Sequence, residues 1–184
     1  MKKIILSIIL FFIYPTQTFS HIEHYENFNL LEYELFRNNK LIGYHNYKFE
    51  KKKGQLKVES IIKFKITKLG VDLYEYNATS AEEYKNGQLI QFSSDTNQNK
   101  KIKNTKISYD EVNDRLIITG SENQLDSPKE YPVGTWWNHE ILQAKAQISA
   151  ISGRIIEQKV TFLGKEKINL YGKTYDALHF NFSS

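Results

Sequence analysis

The chain has 184 residues, 40% hydrophobic and 25% charged, with a net charge of +4 and no cysteine. That composition fits one ordinary globular domain and excludes a disordered tail, a collagen-like fibre and a disulfide-stapled miniprotein. Without a thiol, cysteine nucleophiles and thiolate metal sites are excluded as well.

The first predicted element is an address. Met1-Lys2-Lys3 is a short positive region, residues 4–14 (IILSIILFFIY) are almost unbroken apolar, and Pro15 stops any helix. Thr18 and Ser20 then supply small residues for a cut after Ser20, which is the order of a secretory signal peptide. The apolar run is eleven residues long, whereas spanning a bilayer takes about 20, so a cleaved signal is read in preference to an anchor. Cleavage gives a single β-rich domain over residues 21–184 with 23 basic and 21 acidic side chains. So small an excess gives no argument for nucleic acid or an anionic membrane as a partner. The expected location is periplasmic or secreted. No later stretch is long and apolar enough to span a membrane, so a soluble protein is expected.

From there the chain reads as antiparallel strands. Residues 31–37 alternate, 38–40 turn, and 41–49 form a second strand with Tyr44 and His45 on opposite faces. After a turn at 51–54 comes the clearest alternation. Val58, Ile62, Phe64 and Ile66 share one parity, and Lys57, Glu59, Lys63 and Lys65 the other. A period of two with one wet face marks an antiparallel sheet. Leu69-Gly70 interrupts it, 71–84 is extended, and Asn86-Gly87 is the strongest hairpin turn. Residues 89–94 return, and 95–99 read as turn-like. Residues 101–109 and 115–119 pair around 110–114, and 120–132 read as a polar loop. Residues 135–147 (TWWNHEILQAKAQ) form the one stretch predicted helical, with Ala and Gln filling its later turns. Last come strands at 154–163, 167–170 and 174–182, with turns at Gly164 and Tyr171-Gly172. The expected fold is all-β, with nine or ten strands in a curved meander or half-open barrel. The Trp-bearing helix would sit against one mouth, and a β-sandwich is the alternative.

Catalytic signatures are weak, and no cofactor pattern appears. His21 and His24, with the free α-amino group, form a histidine pair able to hold copper or nickel loosely, but they read as an exposed N-terminus, so no metal site is assigned. Ser60-Ile61-Ile62-Lys63 spells Ser-x-x-Lys, but on a strand residues three apart face opposite ways. Glu82 and Glu83 are split in the same manner and read as a solvated strand edge. The clusters Lys51–53 and Lys100, Lys101, Lys103, Lys106 read as guards of turns and edges rather than nucleic-acid contacts. The aromatic set is the feature with most functional content. Tyr74, Tyr76, Trp136 and Trp137 are the candidate lining of an apolar ligand cavity, weighed against plain core filling of a curved sheet by the same rings. The expected partner is an apolar small molecule or lipid, or an envelope protein paired at a sheet edge.

A run of short motifs carries a family resemblance. They are Lys40-Leu41-Ile42-Gly43-Tyr44-His45, then Phe64 through Lys68-Leu69-Gly70-Val71 to Tyr74-Glu75-Tyr76, then Ala81-Glu82-Glu83-Tyr84-Lys85-Asn86-Gly87. A strand over 89–97, Trp136-Trp137-Asn138 and Leu163-Gly164 follow in order. Together they resemble the exported bacterial proteins of the domain-of-unknown-function family 6134. The resemblance implies an all-β periplasmic protein similar to half-barrel lipoprotein-carrier folds. It brings neither an activity nor catalytic residues. It also implies a final aromatic hairpin, which a sequence ending at Ser183-Ser184 is expected to lack, whether as a truncated fragment or as a member without it.

Overall fold

The computed structural model describes residues 28–121 and 124–184. The expected signal segment, its cut after Ser20 and the His21/His24 pair lie outside the described residues. Alternating sequence produces eight consecutive strands: β1 (Leu30–Arg37), β2 (Lys40–Lys52), β3 (Gln55–Lys68), β4 (Val71–Lys85), β5 (Gln88–Gln98), β6 (Lys101–Asp110), β7 (Arg115–Gly120) and β8 (Leu125–Pro128). Each pairs antiparallel with the next, and β1 does not pair with β8. The fold is therefore all-β, built on an open eight-stranded meander rather than a closed barrel. Two hairpins follow: β9 (Ala146–Ile148) with β10 (Ile155–Glu157), and β11 (Lys159–Leu170) with β12 (Lys173–Ser183).

The turns explain the meander. Asn38-Asn39, Asn86-Gly87 and Asn99-Lys100 place both central residues at positive φ. That is the two-residue geometry whose twist matches the flanking strands, and Asn tolerates it well.

The predicted helix at 135–147 does not form. Trp136 has φ +69°, which no right-handed helix accommodates. Only one 3-10 turn, His139–Leu142, survives, capped by the Asn138 side chain accepting from the Glu140 N–H. Ala146–Ile148 then pairs with β10, so tertiary pairing overrides the helix propensity of Ala and Gln. Three smaller expectations also change. Residues 95–98 extend β5, the 120–132 loop contains β8, and Gly164 is a bulge within β11 rather than a turn.

One face of the sheet is covered by residues 129–158, and its side chains fall into transverse rows set by the register. The row Phe49–Val58–Glu82–Phe92–Ile107–Ile118 is buried beneath Val133, Trp137 and Ile148. The next row is small: Ser60–Ser80–Ser94–Thr105–Gly120. Small side chains there admit the 149–153 turn, with the Ser94 hydroxyl donating to the Ala150 carbonyl. A methyl group on Gly120 would stand 2.3 Å from the Ser152 carbonyl oxygen. Gly120→Ala is therefore expected to lift this turn and lower stability by about 1–3 kcal/mol. An unchanged denaturant midpoint would show that the turn is not seated by this contact.

Candidate functional site

Beyond the serine row the covered face is no longer filled. The rows His45–Ile62–Ala78–Thr96 and Phe64–Tyr76–Gln98 floor a cavity of about 380 Å³. Its other wall comes from Gly134, Thr135 and Trp136 and from Gln147, Ser149, Ala150, Ile151 and Ile156. The volume lies within the ~300–1,000 Å³ range of small-molecule sites. A wider hollow of about 730 Å³ lies beside the Asn86-Gly87 turn, but Lys129, Glu130, Glu140 and Lys145 give it a mixed, charged wall.

The chemistry of the 380 Å³ cavity is that of uncharged groups. Among the described residues its lining has no Asp, Glu, Lys or Arg. Three rings form a ladder along its floor. Phe64 stands 5.7 Å from Tyr74 and 5.2 Å from Tyr76, centroid to centroid, all close to parallel. Gln98 donates to the Tyr74 hydroxyl at 2.7 Å, and Ser60 and Ser80 share a hydrogen bond at 2.9 Å. Burial pushes the Tyr76 phenol up, so it stays neutral.

Among the described residues His45 is the one imidazole in the lining. Its Nδ1 faces the Tyr47 hydroxyl at 3.4 Å, not a carboxylate, and the two rings lie 4.2 Å apart. Burial lowers its pKa from 6.5 to about 4. At neutral pH it is therefore an uncharged ring with a polar edge. Among the described residues no three His, Cys, Asp or Glu side chains gather as metal ligands.

Two adjacent tryptophans divide core from cavity. Trp137 is buried, meets Phe49 and Tyr84 edge to face, and donates from Nε1 to Glu82 Oε1 at 2.7 Å. The Tyr84 hydroxyl donates to the other oxygen at 2.6 Å. Glu82 is 1% exposed, so the expected solvated edge is corrected: Glu83 faces solvent, while Glu82 is a core carboxyl clamped by two donors. Trp136 is 58% exposed and turned to the cavity by its left-handed backbone. Its indole packs edge to face on Phe182 of β12 at 5.1 Å.

A family model described as a domain of unknown function, DUF6134, matches residues 33–184. The chain belongs to the DUF6134 family. No curated protein and no solved structure matches it. In this DUF6134 chain, Tyr74, Tyr76 and Trp136 come together on the cavity, while Trp137 lies in the core behind it. Ser60 and Lys63 lie on opposite faces. Sequence reading missed Phe64 and His45 as lining residues. Parity places both on the covered face, but the cross-strand register that makes them neighbours of Tyr74 and Tyr76 is not written in either strand alone. Among the described residues, no helix is long and apolar enough to cross a membrane.

Proposed function

We propose that this DUF6134 protein is an exported, non-enzymatic binding protein that encloses the apolar, uncharged portion of a ligand between the Tyr74–Phe64–Tyr76 ladder and Trp136. The observation that carries this reading is a cavity walled by aromatic rings, hydroxyls and amides with no ionised side chain among the described residues. An anion or cation buried there would find no counter-charge, whereas an apolar or hydroxyl-bearing group meets matching chemistry. The backbone of Trp136 adds support. A bulky residue in the left-handed region is held against its own preference, and such strain gathers at ligand sites. The signal-like N-terminus supports placement in the periplasm or outside the cell.

The test uses the uncharged probe N-phenyl-1-naphthylamine. Trp136→Ala is expected to weaken probe binding about tenfold or more while leaving the unfolding free energy within about 1 kcal/mol of the parent. Parallel losses in both would make Trp136 a packing residue and remove the reading. A second reading, an edge-strand module for an envelope protein, is favoured by the outer edge of β1, which pairs with no strand among the described residues and where Leu30, Tyr33 and Phe36 are exposed. Capture of a partner through β1 with no probe binding would select it.

A further inference from the structure

Two hairpin turns place a large side chain where the others carry Asn, and one of them lacks a local reason for it. At the β3–β4 turn, Leu69 (φ 51°) and Gly70 (φ 79°) take the same two-residue left-handed form as Asn86-Gly87. Asn is the residue this position favours, and a branched aliphatic side chain is not. Yet Leu69 is 96% exposed and touches no core. Tyr171-Gly172 is the other turn with a large residue in this place, and there the tyrosine hydroxyl is bonded to Glu34. Leu69 has no such local reason. Val71 and Leu73 beside it are also exposed, which leaves an apolar tip at the end of the longest hairpin.

The charge at this end of the sheet is mixed, with Asp72 and Glu75 on β4 outnumbered by Lys65, Lys68, Lys100 and Lys101. The β5–β6 turn is fastened to the same hairpin, with the Asn99 N–H donating to the Glu75 carbonyl and the Glu75 N–H to Asn99 Oδ1. This sets Lys100 and Lys101 along the side of the hairpin at the level of Glu75 and Tyr76, behind the tip. Asp72, the acid next to the tip, is already neutralised by Lys65 at 3.0 Å. Lys68, Lys100 and Lys101 form no ion pair among the described residues. The register also makes Lys101 and Lys103 the cross-strand partners of Gln98 and Thr96, two cavity residues. The apolar tip, these lysines and the Tyr74 end of the cavity therefore share one end of the sheet.

We infer that the β3–β4 tip docks on an anionic lipid surface, with Leu69 and Val71 entering the interface and the surrounding lysines facing the headgroups. An exposed aliphatic tip with unpaired Lys68 next to it and Lys100 and Lys101 behind it on the same end of the sheet suits that partner because it satisfies both components at once. A nucleic acid would use the lysines and leave the leucine unexplained. The docking stands on the tip's own residues and goes beyond the cavity reading, to which it adds a route for an apolar ligand.

The experiment is co-flotation of the full chain with phosphatidylcholine vesicles, with and without phosphatidylglycerol, at low and high salt. Binding only to the anionic vesicles, released by salt, is expected. Leu69→Asn restores the preferred turn residue, so the variant folds at least as well as the parent while its vesicle partitioning falls about tenfold. Lys100→Glu and Lys101→Glu each lower partitioning about fivefold or more. Equal partitioning of Leu69→Asn and parent overturns the proposal, as does retention on single-stranded oligonucleotide without vesicle binding. Fluorescence of N-phenyl-1-naphthylamine reads the cavity separately and is unchanged in Leu69→Asn. Its absence in the parent would remove the cavity reading and leave the docking result standing.

Discussion

Trp137→Ala is expected to lower the unfolding free energy by about 3–5 kcal/mol, several times the effect of the same change one residue earlier. The side chain is 3% exposed and is gripped by Phe49 and Tyr84 at centroid distances of 5.6 and 5.7 Å. Truncation opens a ring-sized void, and the rigid sheet beneath cannot close over it. It also strips the buried Glu82 carboxyl of its indole donor. Trp137→Phe separates these terms. It keeps most of the ring and removes the N–H, so its cost is expected at about 1–3 kcal/mol, the range for a hydrogen bond to a charged or buried acceptor. Denaturant unfolding of the three proteins decides the matter. A Trp137→Ala loss below about 1.5 kcal/mol would mean that the 129–158 segment does not depend on this anchor, and Trp136 would then need another explanation for its backbone.

The contrast between the two tryptophans also shows what a sequence can and cannot convey here. The strands were legible because one wet face imposes a period of two, and residues 57–66 display it cleanly. The order of strands was legible because Asn-Gly and Asn-Asn turns allow only neighbouring pairs. The helix expected at 135–147 failed for a reason located elsewhere. Glu82, 55 residues before Trp137 in the chain, fixes Trp137 in the core, and the backbone turns left-handed to deliver Trp136 to the cavity. No local propensity encodes that long-range bond. The reading of Glu82 as a solvated edge failed likewise, since a charged residue amid Tyr, Ala and Lys gives no hint of a donor arriving from so far along the chain. Tyr74 and Tyr76 could be nominated as aromatic neighbours on one face. Their relation to Phe64, His45 and the small serine row depended on the register across three strands.

The second large effect is a pair of opposed acid responses from Glu82 and His45. Burial raises the Glu82 carboxyl above its ordinary 4.5, against the hydrogen bonds from Tyr84 and Trp137 that hold it down. Just above the ordinary carboxyl pKa the unfolded chain has released this proton while the folded chain keeps it. Stability from this group therefore falls as pH rises through that window, and is greatest below it. His45 runs the other way. Its folded pKa is pushed down to about 4 from 6.5, so its contribution is complete above the unfolded value and is lost as pH falls from 6.5 towards 4. Because the ring is only partly buried, solvent screening reduces that loss to about 1–2 kcal/mol. Glu82→Gln keeps an oxygen for the Trp137 N–H and places an amide where the Tyr84 hydroxyl can reverse and accept. The stability of this variant relative to the parent is expected to rise between pH 4 and 7, by about 1.4 kcal/mol for each unit by which burial displaces the carboxyl. His45→Gln should flatten the acid limb below pH 6.5, with little change at neutral pH. Denaturant unfolding across this range tests both. If the Glu82→Gln gap stays constant with pH, the carboxyl titrates alike in the folded and unfolded chains. The hydrogen bonds would then offset its burial completely, and the Trp137–Glu82 clamp would hold an ionised anchor at neutral pH.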